Sequence, residues 1–186
     1  EQYATKNTNA LLQDRHAEGI FKTLVQIAPA VMSGKKDYDI RATFMWCATQ
    51  ALNGLTACGT VGDWSTHGIG HVLTAFFGLA HAESIAVVLP AVWKYEMADK
   101  ADKLAMMAEN VWGIKKGSKK QKAAAGIERT VKFFHSVGMP TKLSNYDITK
   151  KDIIKVIGRF KQTGLVLGEN HNIDAAAVEK ILKMCL

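Results

Sequence analysis

The chain has 186 residues, 48% of them hydrophobic, which is enough for one sizeable core and calls for no second domain. Its net charge of +7 comes from 24 Lys and Arg against 17 Asp and Glu. The excess lies in runs such as Lys115, Lys116, Lys119, Lys120, Lys122 and Lys150, Lys151, Lys155, without the interleaved aromatics and arginines that a nucleic-acid surface uses. Three cysteines with no Cys-x-x-Cys argue against a disulfide framework or a zinc ribbon, and no apolar run reaches the roughly 20 residues that span a bilayer. Composition thus points to a cytoplasmic protein with neither nucleic acid nor membrane as a partner.

From Asn9 to about Met32, the residues Ile20, Leu24, Ile27 and Val31 recur at intervals of four, three and four, one apolar stripe of a helix that Pro29 can close. His16, between Arg15 and Glu18, reads as a surface residue. Ser33-Gly34-Lys35-Lys36 is a turn, after which Asp37 or Asp39 can cap a second helix carrying Phe44, Cys47, Ala51, Leu55 and Cys58. The opposite side of that segment is hardly more polar, which predicts a central helix buried on most sides. Gly59-Thr60-Val61-Gly62 ends it, and Asp63 can cap the next.

The segment from His67 to His81 holds half of the chain's six histidines in fifteen residues. His67 and His71 are four apart, so on a helix they share one face, the usual spacing for two imidazoles meeting one metal ion. His81 lies fourteen residues beyond His67, about 21 Å along an unbroken helix, too far for one ion. A shared site therefore requires a break, and Gly78, just after Phe76-Phe77, is the natural place for it, because glycine takes the left-handed conformation at little cost. Gly68 and Gly70 leave room for a ligand or for close packing of a neighbouring helix. Spacing alone does not say which two histidines are ligands.

After His81 the run Ile85-Ala86-Val87-Val88-Leu89 has the composition of a buried strand, but Glu83 and Ser84 suit a helical first turn and Trp93 continues the pattern four residues past Leu89. Pro90 then predicts a kink. Leu104, Met107 and Val111 mark a shorter helix closed by Gly113. Ser118-x-x-Gln121 is a capping box opening a helix through Ile127, Val131 and Phe134, stopped by Gly138-Met139-Pro140. His135, near its end, suits the helix dipole. Thr149-x-x-Asp152 opens the next helix, with Ile153, Ile154, Ile157 and Phe160 inward and Gly164 as its stop. Asn172 caps the last, with Val178, Ile181, Leu182 and Cys185 inward. These elements make an all-α domain of about eight helices with no convincing strand.

The pattern Trp64-x-x-His67-x-x-Gly70-His71-x-Leu73-Thr74-Ala75-x-x-x-Leu79-x-His81-Ala82 resembles the second signature of the iron-containing (group III) alcohol dehydrogenases, most closely their butanol dehydrogenase and NADPH-dependent aldehyde reductase branch. Asn53-Gly54, Val88-Leu89-Pro90-Ala91 and Leu167-Gly168-Glu169-Asn170-His171 resemble the same branch, so the resemblance covers essentially all 186 residues. It implies the all-α, multi-helix C-terminal domain of the dehydroquinate synthase-like fold. Residues 1–186 would be the metal- and substrate-binding domain, and the nucleotide-binding N-terminal domain would be missing from this chain. Members of that family place an Asp-x-x-x-His pair, two further metal ligands, shortly before a segment like Glu1-Gln2-Tyr3. Our chain begins at that segment and without Met, as a truncated product would.

By the resemblance His67 and His81 are metal ligands and His71 is a catalytic neighbour near the nicotinamide. The ion is a divalent metal, Fe2+ or Zn2+. NADP or NAD is held mainly by the missing domain, in keeping with the absence of any Gly-rich phosphate loop after a strand here. The full-length parent would be a homodimer exchanging hydride with a primary alcohol/aldehyde pair, and this chain alone would turn over nothing. Two other readings use the same residues: an autonomous helical zinc hydrolase with a three-histidine site formed by His67, His71 and His81, and a non-catalytic helical interaction module in which the three rings do not cluster.

Overall fold

The computed structural model describes residues 1–6 and 8–186. Among them are eight α-helices: α1 (Leu11–Met32), α2 (Tyr38–Leu52), α3 (Ser65–Phe77), α4 (His81–Tyr95), α5 (Met97–Asn110), α6 (Lys119–Ser136), α7 (Lys150–Thr163) and α8 (Ala175–Met184). Two 3-10 turns, Leu55–Ala57 and Leu143–Tyr146, complete the helical structure, and the one β contact among the described residues is an isolated bridge between Leu167 and Ile173. The all-α expectation holds. Among the described residues no helix is long and apolar enough to cross a membrane.

Several helix ends follow from residues a few positions apart. Asp37 Oδ1 accepts from the Ile40 amide at 3.1 Å, and Ser118 and Gln121 close the expected reciprocal box. Thr149 and Asp152 close theirs, and Gly164 and Gly78 end α7 and α3 in left-handed conformations, with φ of 63° and 72°. At α8 the cap is Asp174, whose Oδ1 accepts from the amides of Ala176 and Ala177, and not Asn172. Asn172 instead donates from Nδ2 to Glu96 Oε1 at 2.8 Å, drawn away by a distant buried carboxylate. His135, expected only to complement a helix dipole, pairs through Nε2 with Thr141 Oγ1 at 2.9 Å.

The central helix is α4. One side of it, with Val87, Val88 and Val92, joins Ile69 and Leu73 of α3 and the inward faces of α7 and α8, including Val156, Phe160, Val178 and Ile181. Its other side, with Leu89 and Trp93, joins Tyr3, Ala17, Leu104, Met107 and Ile127. A helix shared by two cores must be apolar all round, which is why Ile85–Leu89 imitates a strand in composition. Pro90 lies within α4 and is buried there.

The expectation that the second helix is central is corrected. Of α2's fifteen residues only Cys47 is buried, and Trp46 and Leu52 are 64% and 87% exposed. The helix stops at Leu52, because Gly54 turns the backbone left-handed, so Leu55 and Cys58 are not on it. It packs on α1 and the adjoining 3-10 turn. Apolar content gave the wrong inference because nothing among the described residues covers α2's outer side. The basic run before and within α6 is solvent-facing, with Lys119 and Lys122 paired to Asp102 and Glu109.

Candidate metal and active site

α3 carries His67 in its first turn and His71 one turn later, and Gly78 breaks the helix so that α4 starts at His81. This reversal brings the three rings together. Their centroids lie 5.9 Å apart for His67 and His71, and 5.3 Å both for His67 and His81 and for His71 and His81. His71 and His81 are exposed and His67 is half-buried, edge-on to Trp64 at 5.2 Å between centroids. The room at Gly68 and Gly70 is taken by protein. A Cβ at Gly68 would stand 2.6 Å from Leu167 Cδ1, and one at Gly70 3.1 Å from Ser84 Oγ. Glycine at both positions lets the 167–173 loop and α4 lean closely on the histidine helix.

The clustering removes the main expectation of the interaction-module reading. The rings nevertheless do not form a closed three-imidazole cage. Among the described residues, the set of ligand atoms lying within 4.8 Å of one another is Asp63, Glu96 and Glu169, and the three histidines make no such set. Imidazole nitrogens suit iron and zinc alike. Two rings brought together across the break at Gly78 could supply only part of a coordination shell.

Sequence reasoning missed what holds the His67 ring. Glu1, whose side chain is 3% exposed, binds with both oxygens: Oε1 accepts from the Thr66 amide at 2.6 Å, and Oε2 contacts Nδ1 of His67. Asp63, expected as a simple cap, accepts from the Ser65 amide through Oδ1 at 2.8 Å while its other oxygen pairs with Lys100. Trp64 between them is left-handed, with φ of 64°. Lys100 Nζ, 1% exposed, also donates to Glu169 Oε1 at 2.7 Å and lies 3.7 Å from Glu96 Oε2. The three carboxylates that could hold a cation thus already surround an ammonium.

Charge in that cluster is unbalanced, one cation against three acids. Burial pushes Lys100 down, but its bonds to Asp63 and Glu169 outweigh this and hold its pKa above the usual lysine value. Burial likewise pushes Asp63 up, and its contacts with Lys100 and Ser65 overcome it, leaving the carboxyl below the usual range. Glu96 is raised, chiefly by burial. No local motif announces this hub; Glu169 was visible only inside the Leu167–His171 motif.

Beside His67 a cavity of about 460 Å3 opens between the first residues, α1, the end of α2 and the 3-10 turn. Phe21, Ala51, Leu52, Thr56 and Trp64 are among the residues that wall it, mostly apolar and with His67 at one end. Its size is ordinary for a small-molecule site. Tyr3 fixes the near wall, donating its hydroxyl to Glu18 Oε1 at 2.7 Å with Lys103 Nζ 5.1 Å from its ring centre.

Comparison with known proteins agrees with this fold. The family model for the Fe-containing alcohol dehydrogenase family, C-terminal, matches residues 1–186. The NADPH-dependent aldehyde reductase YqhD of Escherichia coli is 45% identical over 174 residues, 93% of this chain and 45% of the relative. The solved substrate- and cofactor-free form of that reductase superposes with a TM-score of 0.96 at 42% identity, over 100% of this chain and 49% of that one. The NADH-dependent butanol dehydrogenase A of Thermotoga maritima superposes with a TM-score of 0.86 at 29% identity, over 94% and 46%. The chain spans about half the length of the relatives it matches. On the family match and this identity, the chain belongs to the Fe-containing alcohol dehydrogenase family, as its C-terminal region.

Proposed function

We propose that residues 1–186 are the metal- and substrate-binding domain of a metal-dependent alcohol dehydrogenase or aldehyde reductase that moves hydride between NAD(P)H and a primary alcohol/aldehyde pair. The observation that carries this reading is the placement of His67 and His81 on either side of the break at Gly78, 5.3 Å apart at their centroids and beside an apolar cavity. His67 and His81 would hold the divalent ion, iron or zinc, with the remaining ligands and most of the nicotinamide contacts supplied by the portion of the relatives that lies outside this chain. The metal supplies Lewis-acid polarisation of the substrate oxygen, and the nicotinamide carries the hydride.

The chain's own residues do the rest. The cavity walls, Phe21, Ala51 and Leu52 among them, exclude water from a short alkyl chain and favour primary alcohols or aldehydes over charged substrates. His71, exposed and 5.3 Å from the His81 ring, moves the hydroxyl proton at an imidazole nitrogen, which can both accept and donate one. The free thiols of Cys47, Cys58 and Cys185 suit a reducing cytoplasm. Without the other half, this chain is expected to bind metal weakly and to catalyse nothing.

The test is a histidine series in the full-length protein. His67→Ala and His81→Ala should lose metal and turnover together. His71→Ala should keep its metal and lose kcat by about 10²- to 10⁴-fold, the usual worth of a general acid–base. Full metal content in His67→Ala or in His81→Ala would overturn the assignment.

A further inference from the structure

The metal-site reading leaves unexplained why a carboxylate is buried against the half-buried histidine. Both oxygens of Glu1 act as acceptors, one for the Thr66 amide in the first turn of α3 and one against Nδ1 of His67. A carboxylate offers no proton at neutral pH, so the proton in the second contact belongs to the imidazole. Its position is supported from behind. Gln2 Oε1 accepts from the Asp63 amide at 2.9 Å, Asp63 is bound to the Ser65 amide and to Lys100, and Lys100 is tied to Glu169. The first residues of the chain, the start of α3 and the 167–173 loop are therefore locked to one another around His67.

Resting on the metal-site reading, we propose that Glu1 is the positioning residue of His67: it holds the ring by Nδ1–H and so presents Nε2 as the nitrogen that meets the ion. A ligating histidine whose second nitrogen is bound to a carboxylate has a fixed tautomer, a fixed ring plane and greater basicity, and loss of such a partner typically lowers metal affinity about 10- to 100-fold. The arrangement also accounts for the tight burial of Glu1 beside a ring that remains partly open to the cavity.

Glu1→Gln separates this role from simple packing. The amide keeps the shape but has a single acceptor oxygen, where the site uses two. If that oxygen stays with the Thr66 amide, the NH2 donates to Nδ1 and forces the proton onto Nε2, the wrong tautomer for ligation. If the amide flips, its NH2 faces the Thr66 N–H and the hold on α3 is lost.

Two measurements on the full-length protein test this. In metal-free protein with 15N-labelled histidine, at a pH where the nitrogen shifts report a neutral ring, His67 should carry its proton on Nδ1, and Glu1→Gln should shift the population toward Nε2–H. Zinc affinity, read by competition with a chromophoric chelator, should fall about 10- to 100-fold in Glu1→Gln, with a thermal midpoint close to that of the unsubstituted protein. An Nε2–H tautomer in the unsubstituted protein, or unchanged zinc affinity in Glu1→Gln, overturns the proposal. If the unsubstituted protein binds no zinc or iron, the metal-site reading fails, and the tautomer measurement still decides the role of Glu1.

Discussion

Replacing Lys100 with Met isolates the contribution of the buried hub. The ammonium is 1% exposed and is shared by Asp63 and Glu169, with Glu96 at 3.7 Å. Methionine fills nearly the same volume, so the cavity cost is small and the electrostatic cost dominates. Removing one member of a buried pair strands its partners without compensation, which costs about 3–5 kcal/mol. In a domain of this size each kcal/mol moves the thermal midpoint by about 2–4 °C, so the midpoint should fall by about 6–20 °C. The assay is thermal and urea unfolding at neutral pH, followed by circular dichroism. The double variant Lys100→Met, Asp63→Asn removes the ammonium and one of its carboxylate partners and should lose less than the sum of the single variants, because one of the stranded carboxylates is gone. A Lys100→Met protein within about 1 kcal/mol of the parent, or strict additivity in the double variant, would show that the hub is not held by this ion pair.

The same cluster predicts opposite pH signatures for two of its acids. Glu96 has a folded pKa raised by burial, so its stabilising protonated form is complete at low pH and is lost as pH rises through that value. Glu96→Gln should therefore gain in unfolding midpoint relative to the parent as pH rises above the ordinary glutamate value of about 4.3, and a relative loss with rising pH would contradict the assignment. Asp63 has a lowered folded pKa, so its contribution is present above the ordinary carboxylate value and disappears only as pH falls through the depressed one. The deficit of Asp63→Asn should accordingly be constant near neutrality and shrink only in acid below about 3.9, the unfolded value; a deficit that shrinks with rising pH would refute it.

What the sequence made legible was local. The four-residue spacing of His67 and His71, the glycine at 78 and the boxes at Ser118/Gln121 and Thr149/Asp152 each involve residues within one or two helical turns, so periodicity and capping rules reach them directly. The hub does not work that way. Lys100 meets Asp63 across 37 positions and Glu169 across 69, and Glu1 meets His67 across 66. Nothing distinguishes Lys100 in sequence from the many solvated lysines, and Asp63 is a plausible cap whether or not its second oxygen is engaged. The misreading of α2 has a related cause. Periodicity reports which residues are apolar, while burial depends on what lies opposite, and α2's outer face has no partner among the described residues. At α8 the expected cap, Asn172, is drawn to Glu96, and Asp174 two positions on caps the helix instead.

The most direct test of the central claim is anomalous diffraction at the iron and zinc edges, on crystals of the full-length protein grown with the metal. The account predicts one strong peak between the His67 and His81 rings, bonded to Nε2 of His67 at about 2.0–2.2 Å, with Glu1 still on Nδ1. A peak lodged among Asp63, Glu96 and Glu169, or metal-loaded crystals with no peak between the two imidazoles, would contradict it.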